Sequence, residues 1–312
     1  MLPAIPDGVG TTRAAVARIP GAILELPVRT AMVRLVPSHP AGEVAPYPAS
    51  AIRGAIGRWT LARMCPAPGI PCEGCDGRED CPHGQLFFPT AGPEGPRTPP
   101  PPWSLWATWD RDDRDLAVGV QTCGRHAETL MPVLLDALRN VADDGAVDGV
   151  PKARMVPGRA PDRAQPVRDL VRAGLPAALR IRTVTPVSLK VDGRELTTAP
   201  TLDLWVKAAR RRAMMLARSY GSGSGADADQ EAANAQPMPV EPLAPTRRSV
   251  RPVVIRRWSE RQGRTIWLRG IEGSMVYEPV PAHSAEWLAV GGVLGIGGDP
   301  THGFGRVEIS PR

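Results

Sequence analysis

The two halves of the chain repeat one order of predicted elements, and this repeat constrains the fold more than any other feature of the sequence. Each half presents a strand pattern, an amphipathic helix, further strands, a second helix and a last strand. Strands are recognised by alternation of apolar and polar residues, and helices by a period of 3.6 residues. The order predicts an α+β fold with two ferredoxin-like (RRM-like) domains in tandem.

We predict an N-terminal domain over residues 20–160, with a cysteine-rich insertion at 65–81, and a C-terminal domain over residues 175–312. The predicted helices lie at 50–64, 129–142, 201–221 and 284–294, and the strand patterns at 22–36, 178–190, 253–258, 264–278 and 305–309. Ser50 is a suitable N-cap for the first of these helices. Composition predicts an irregular connection at 144–178 and a mobile Gly/Ser/Asp-rich segment at 221–237.

Basic residues concentrate in two blocks of the C-terminal half. The net charge is +6, yet residues 167–220 hold eleven Lys and Arg against four acids, and residues 247–270 hold eight Arg against Glu260. Clustered arginine predicts a polyanionic partner such as a nucleic acid, with an ordinary solvated surface as the alternative. The N-terminus shows no signal peptide and no segment is apolar enough to span a bilayer, so we expect a cytoplasmic protein without a membrane partner.

Five glycines fall within the eleven residues from Gly295 to Gly305, close to the C-terminus. A dinucleotide fingerprint fails because Pro300 stands where the third glycine should open a helix, and a Walker loop fails because the segment has no lysine. The segment instead joins a predicted helix to the last predicted strand. Such a loop can turn its N–H groups towards a phosphate as an anion-binding nest.

Four cysteines share a 17-residue segment with the spacing C-x6-C-x2-C-x5-C: Cys65, Cys72, Cys75 and Cys81. Cytosolic proteins seldom keep disulfides, so the cluster predicts a structural zinc site. A reduced, metal-free loop and an iron–sulfur cluster are the alternatives.

Several segments, in this order and spacing, resemble those of one protein family. They are "AIRGAIGRWTLARMC…C…C…CPHGQLFFP", "RTVTPVSLKVDGRE", "LWVKAARRRAMMLARSYG", "WSERQGRTIWLRGIEGSMVYE" and "GGVLGIGGDPTHGFGRVEI". The chain resembles the CRISPR precursor-RNA-processing endoribonucleases of the RAMP superfamily, often called Cas-six, over about residues 22–312. One departure is that many relatives carry Gly-Lys-Gly before the threonine, where this chain has Gly297-Gly298-Asp299-Pro300.

The resemblance implies binding of CRISPR repeat RNA and its cleavage without metal, after which the product usually stays bound and passes to other Cas proteins of an effector complex. Attack by the RNA 2′-OH leaves a 2′,3′-cyclic phosphate and needs a base, an acid and groups that stabilise the phosphorane. The catalytic candidates are His39, where relatives usually carry a catalytic histidine, with Tyr47 and Arg53. No cofactor is expected for catalysis.

The RNA-binding candidates are basic residues and residues of the glycine loop. They are Arg29, Arg58, Lys190, Lys207, Arg210, Arg211, Arg212, Arg218, Arg247, Arg248, Arg256, Arg257, Gly297, Gly298, His302, Gly303 and Gly305. Two other functions stay open at this point. One is a non-catalytic RAMP subunit that binds guide RNA, and the other is a zinc-dependent DNA-binding regulator, which leaves the glycine motif unexplained.

Overall fold

The structure is a computed structural model. It describes residues 19–38, 44–67, 69–90, 99–110, 115–145, 147, 149–172, 174–221, 242–259 and 262–312. His39 and, beyond Gly221, the predicted mobile segment at 221–237 lie outside the described residues.

The N-terminal half forms an antiparallel sheet covered by helices. Its strands are β1 (Pro27–Pro37), β2 (Trp103–Trp109), β3 (Leu116–Cys123), β4 (Ala153–Pro157) and β5 (Gln165–Pro166). Its helices are α1 (Gly21–Leu24), α2 (Ala49–Met64), α3 (Pro82–Phe87), α4 (Ala127–Asp144) and α5 (Val167–Leu170). The strand order is β2-β3-β1-β4, and β5 pairs with the start of β1.

The C-terminal half repeats this arrangement. Its strands are β6 (Leu179–Thr183), β7 (Lys190–Val191), β8 (Arg194–Glu195), β9 (Arg247–Ser259), β10 (Arg264–Tyr277) and β11 (Val307–Pro311), and its helices are α6 (Leu202–Tyr220) and α7 (Ala282–Leu294). The main sheet has the order β11-β6-β10-β9, and β7 and β8 form a separate small hairpin. In both halves the first and third strands of a βαββαβ unit lie at the centre of the sheet, so the predicted pair of ferredoxin-like folds is confirmed.

Each sheet buries one face of its helices. In the first half α4 buries Leu130, Leu134 and Leu138 completely or nearly so. In the second half the Trp205 indole on α6 donates a hydrogen bond of 2.9 Å to the Tyr277 hydroxyl on β10. Tyr277 in turn donates to the Pro200 carbonyl, which satisfies the polar atoms of two large buried aromatic residues. Within the described ranges, no helix combines the length and apolar character needed to cross a bilayer.

Several predicted boundaries are wrong. The strand predicted from residue 22 begins only at Pro27, because Gly21–Leu24 forms a helical turn. The strand predicted over 178–190 ends at Thr183. Strand β4 lies inside the predicted irregular connection, where it completes the first sheet by pairing with β1. Helix α2 begins at Ala49, so Ser50 lies in the first turn and is not the N-cap.

Gly119 on β3 gives room to the Trp106 side chain on β2. The two residues are paired across the strands, and a Cβ at Gly119 would lie 2.0 Å from the Trp106 ring. Gly54 in α2 offers a matched control, because a Cβ there would lie 3.7 Å from its nearest neighbour. We predict that Gly119→Ala destabilises the protein by about 1–3 kcal/mol through overpacking. Gly54→Ala should stabilise it by up to about 1 kcal/mol. Chemical denaturation compares the variants, and equal midpoints for both would contradict this packing.

Candidate active site between the two domains

The glycine-rich loop connects α7 to β11 and packs against the N-terminal domain. Gly303 has a φ of +90°, and a Cβ there would lie 2.4 Å from the Ala49 Cβ at the start of α2. Gly305 has a φ of +88°, and its Cβ would lie 2.6 Å from the Ile296 carbonyl oxygen. Only glycine adopts these conformations at such close range without strain. At these two positions the glycines serve packing within the protein.

Part of the loop backbone is already hydrogen-bonded inside the protein. The Gly298 N–H donates to the Ser188 carbonyl at 3.0 Å, and the Gly305 N–H donates to the Pro186 carbonyl at 2.8 Å. These two amides are therefore not available as donors of the predicted anion nest. Any RNA contact made by Gly298 or Gly305 in this conformation uses other atoms.

Polar side chains join the loop to helix α2 across the two domains. The Ser50 hydroxyl lies 3.0 Å from His302 Nδ1. One turn further along α2, Arg53 Nε donates to the Thr301 hydroxyl at 3.0 Å. The Arg53 guanidinium also lies 4.9 Å from the centroid of the Phe87 ring. Together with the Gly303 contact, these bonds form what we call the domain seam: Ala49, Ser50 and Arg53 on one side, Thr301, His302 and Gly303 on the other.

The seam keeps His302 neutral. Burial and the nearby positive charges of Arg53 and Arg257 lower the pKa of His302 to about 2. Its neighbour Asp299 has its pKa raised by burial, against the opposing effects of Lys190, Arg257 and Arg53. His302 was predicted as an RNA contact. The structure shows that His302 also joins the two domains through its contact with Ser50, which the sequence did not predict.

Tyr47 makes a second link between the domains. Its hydroxyl donates a 3.0 Å hydrogen bond to Glu272 Oε2 on β10, and Arg251 on β9 donates to the other oxygen of Glu272 from Nε at 2.7 Å. Burial, and then the hydrogen bond and charge of Glu272, raise the pKa of Tyr47. Arg251 belongs to the second basic block, but sequence reasoning missed Glu272 and its ion pair with Arg251, because the only signal was a cross-strand pair of opposite charges in two strands whose register was unknown.

The predicted catalytic residues therefore divide into two groups. Tyr47 and Arg53 are both described, and both contact the C-terminal domain at or beside the seam. His39 belongs to the segment 39–43, which lies outside the described residues. A tyrosine hydroxyl and an arginine guanidinium supply hydrogen bonds and a fixed positive charge, which suit a phosphate but not proton abstraction at neutral pH.

The predicted basic contacts differ in exposure. Eight are exposed: Arg58, Lys190, Lys207, Arg211, Arg218, Arg247, Arg248 and Arg256. Arg29, Arg210 and Arg257 are half-buried, and Arg29 forms a 2.9 Å ion pair with Glu128. Arg212 is buried and donates to the Leu294 carbonyl at 2.6 Å. We therefore leave Arg212 out of the surface that we propose for RNA.

The four clustered cysteines are reduced neighbours in the structure. Burial, and then the charges of Cys65, Cys81, Glu73 and Cys75, raise the pKa of Cys72. Cys81 is buried, and the other three are half-buried. Among the described residues, no three Cys, His, Asp or Glu side chains are arranged to hold a metal ion. The thiols thus lie near one another without forming a closed set of ligands.

Comparisons with known proteins assign the two halves of the chain to families. Residues 26–172 match the family model AF_1859_N, described as an N-terminal domain. Residues 181–307, which include the glycine loop and most of the C-terminal half, match the model of the CRISPR-associated endoribonuclease Cas6. The C-terminal domain is thus similar to the Cas6 family over most of its length. The family resemblance predicted from the sequence is confirmed.

Solved Cas6 structures share the fold over nearly the whole chain. Cas6 (TTHB231) in a product complex, a protein of Thermus thermophilus, has a TM-score of 0.55 at 18% identity, covering 92% of this chain and 99% of that one. Cas6 (TTHA0078) in a substrate-mimic complex has a TM-score of 0.50 at 15% identity, covering 92% and 100%. A Cas6-RT-Cas1–Cas2 complex has a TM-score of 0.50 at 13% identity, covering 93% of this chain and 30% of that one. No curated protein sequence matches the chain.

Because His302 is neutral in the folded protein, the free energy of unfolding should depend on pH. The pKa of His302 is lower in the folded than in the unfolded protein, so the unfolded state binds the extra proton and stability falls as the pH drops below about 6.5. His302→Gln keeps an amide beside Ser50 without the titration. We predict that the wild type loses about 2 kcal/mol more stability than this variant between about pH 7 and pH 5. Denaturation midpoints at the two pH values test this, and parallel losses would contradict it.

Proposed function

We propose that the protein is a metal-independent endoribonuclease that binds and cleaves CRISPR repeat RNA to give guide RNA. The observation that carries the proposal is the seam itself. The glycine loop of the Cas6 domain is held against the helix that bears Arg53, and Tyr47 is bonded to the same domain. Cas6 relatives in complexes with product and with a substrate mimic support RNA as the partner and retention of the product.

In this proposal His39 is the general base that takes the proton from the RNA 2′-OH, and the leaving 5′-oxygen takes a proton from water to become the 5′-hydroxyl. A base needs a pKa near the working pH, and histidine is the side chain that has one. Burial lowers the pKa of three other histidines, His83, His126 and His302. His83 is also held by Thr60, with 2.8 Å between its Nδ1 and the hydroxyl. A Cas6 relative was solved as a mutant with one histidine changed to alanine, which supports testing a histidine first.

Tyr47 and Arg53 would stabilise charge on the phosphate rather than accept the proton. The raised pKa of Tyr47 keeps its hydroxyl protonated, so it can donate to a phosphate oxygen if the RNA replaces Glu272 as its acceptor. Glu272 is then a positioning residue, since it holds Tyr47 and is itself held by Arg251. Arg53 supplies a permanent positive charge beside the developing phosphorane.

The exposed basic residues would bind the remaining phosphates of the RNA. Arg247, Arg248, Arg251 and Arg256 lie along β9, and Lys207, Arg211 and Arg218 lie along α6. Their contacts should weaken with salt, since each neutralised phosphate releases counterions. A relative solved in a complex with RT, Cas1 and Cas2 supports other Cas proteins as partners of this chain.

The decisive test is cleavage of repeat RNA in the presence of EDTA. The wild type should cut the RNA at one position, and His39→Ala should slow single-turnover cleavage by about 100-fold or more, the usual contribution of a general base. The affinity for RNA should not change, because in this proposal His39 does not bind a phosphate. His283→Ala, which removes a histidine from the start of α7, is the matched control and should leave the rate unchanged.

Two outcomes would contradict this proposal. If the wild type binds the repeat RNA tightly but never cuts it, the protein is a guide-RNA-binding subunit without catalysis. If the wild type cuts and His39→Ala cuts equally fast, an arginine-based site is the better account. Arg29, Arg53 and Arg58 are then the residues to replace.

We also propose a structural zinc ion for the cysteine segment. Two short 3-10 turns, Cys72–Gly74 and Asp76–Glu79, bury none of their residues, so packing alone does little to hold this segment. Four thiolates are a donor set that suits zinc, although in this structure they do not lie in a closed arrangement around one point. Elemental analysis of gently purified protein should give about one zinc per chain. Cys72→Ser should lower the zinc content and expose 65–81 to protease without abolishing RNA cleavage. Metal-free protein with a protease-resistant segment would refute the zinc site.

A further inference from the structure

The hairpin formed by β9 and β10 carries large aromatic side chains in solvent. Trp258 is 62% exposed and Trp267 is 53% exposed. Tryptophan is highly buried on average in folded proteins, so side chains this open call for an explanation. The other face of the same hairpin is ordinary core, where Val253 and Leu268 are each 6% exposed. The hairpin is thus anchored on one face while the tryptophans stand on the other.

The strand register places both tryptophans on one face with basic residues. Successive side chains of a strand alternate between faces, so Val254, Arg256 and Trp258 share a face. Opposite them on β10 stand Arg269, Trp267 and Thr265, paired with Val254, Arg256 and Trp258 respectively. All six residues are exposed. We call these six residues the hairpin face.

Aromatic and arginine side chains alternate across the hairpin face. Trp267 lies directly opposite Arg256, and Trp258 is its diagonal neighbour. Diagonal residues are about 7–8 Å apart, within reach of aromatic side chains. Of these six described positions none is acidic. A carboxylate in reach of the face is that of Glu195 on β8, which also forms a 3.4 Å ion pair with Lys190.

This combination fits unpaired RNA better than the other partners of a basic surface. Single-stranded nucleic acid is bound by aromatic rings on which bases stack, together with cationic groups along the backbone. A duplex offers phosphates but hides the faces of its bases. A protein interface would favour a continuous apolar patch, whereas here the tryptophans are interrupted by arginine.

We propose that the hairpin face binds unpaired nucleotides of the RNA by stacking bases on Trp258 and Trp267. The inference takes the RNA partner from the proposed function, and it adds a subsite for a single-stranded stretch away from the domain seam. Arg256 and Arg269 would contact the phosphates on either side of the stacked bases. In this arrangement the RNA is cut at the domain seam, and the hairpin face binds a single-stranded segment that flanks the cleavage position.

The test uses an oligouridine of about ten nucleotides, which has no secondary structure and fits the usual site size. Trp258→Ala and Trp267→Ala should each weaken its binding by roughly 5- to 150-fold, the range for loss of one stacked base. Trp258→Phe and Trp267→Phe should recover most of the affinity, because phenylalanine keeps an aromatic face. Leu61→Ala is the control and should leave oligouridine binding unchanged, since it removes a 43% exposed apolar side chain of helix α2 that lies outside the hairpin face.

The outcomes separate this inference from the proposed function. A repeat hairpin RNA without single-stranded flanks should be cleaved at the wild-type rate by the tryptophan variants. Unchanged oligouridine binding in Trp258→Ala/Trp267→Ala, with wild-type circular dichroism, would overturn the stacking site whether or not the protein cleaves RNA. So would a shift in oligomeric state with no change in RNA affinity, because the face would then be a protein interface. Loss of oligouridine binding in a protein that cuts no RNA would support the face and refute the nuclease.

Discussion

The contact between the glycine loop and the start of α2 is the constraint on which the candidate site depends. Gly303 approaches Ala49 so closely that no Cβ fits between them, and the bonds Ser50–His302 and Arg53–Thr301 fix the same two segments. Each ferredoxin-like half has its own sheet. The seam holds Arg53, one of the residues that we propose for RNA chemistry, against the glycine loop, and the close packing explains why this loop needs glycine.

The electrostatics of the seam divide the chemical roles. Burial and two arginines keep His302 neutral, so a histidine within the glycine loop serves as a structural link. Arginine beside the loop supplies a charge that does not depend on pH. For the proton transfer we propose His39, because histidine has an ordinary pKa near neutral pH. A site built in this way separates the group that moves a proton from the groups that hold the phosphate.

The sequence predicted the order of elements well, because periodicity and turn residues are local properties. It failed where an element depends on a distant partner. Strand β4 looked irregular because it is short and lies among proline, glycine and charged residues, and only its pairing with β1 makes it a strand.

Contacts between distant residues were also missed. Arg212 was predicted to be a surface cation, because the sequence does not show that α7 packs on α6 and that its Leu294 carbonyl accepts a hydrogen bond from Arg212. The bond between Tyr47 and Glu272 joins residues 225 positions apart, which no local pattern reveals. Trp258 and Trp267 are recognised as one surface only from the register of the hairpin.

We propose that the RNA is cut by attack of its own 2′-OH, with His39 as the base and with Tyr47 and Arg53, at or beside the domain seam, as the groups that stabilise charge on the phosphate. Mass spectrometry of the RNA ends produced by the purified protein tests it most directly. Attack by the 2′-OH predicts a 2′,3′-cyclic phosphate on one fragment and a 5′-hydroxyl on the other, and a 2′-deoxy nucleotide at the cleavage position should leave the RNA bound but uncut. A 3′-hydroxyl with a 5′-phosphate, or normal cleavage of the deoxy substrate, would contradict the account.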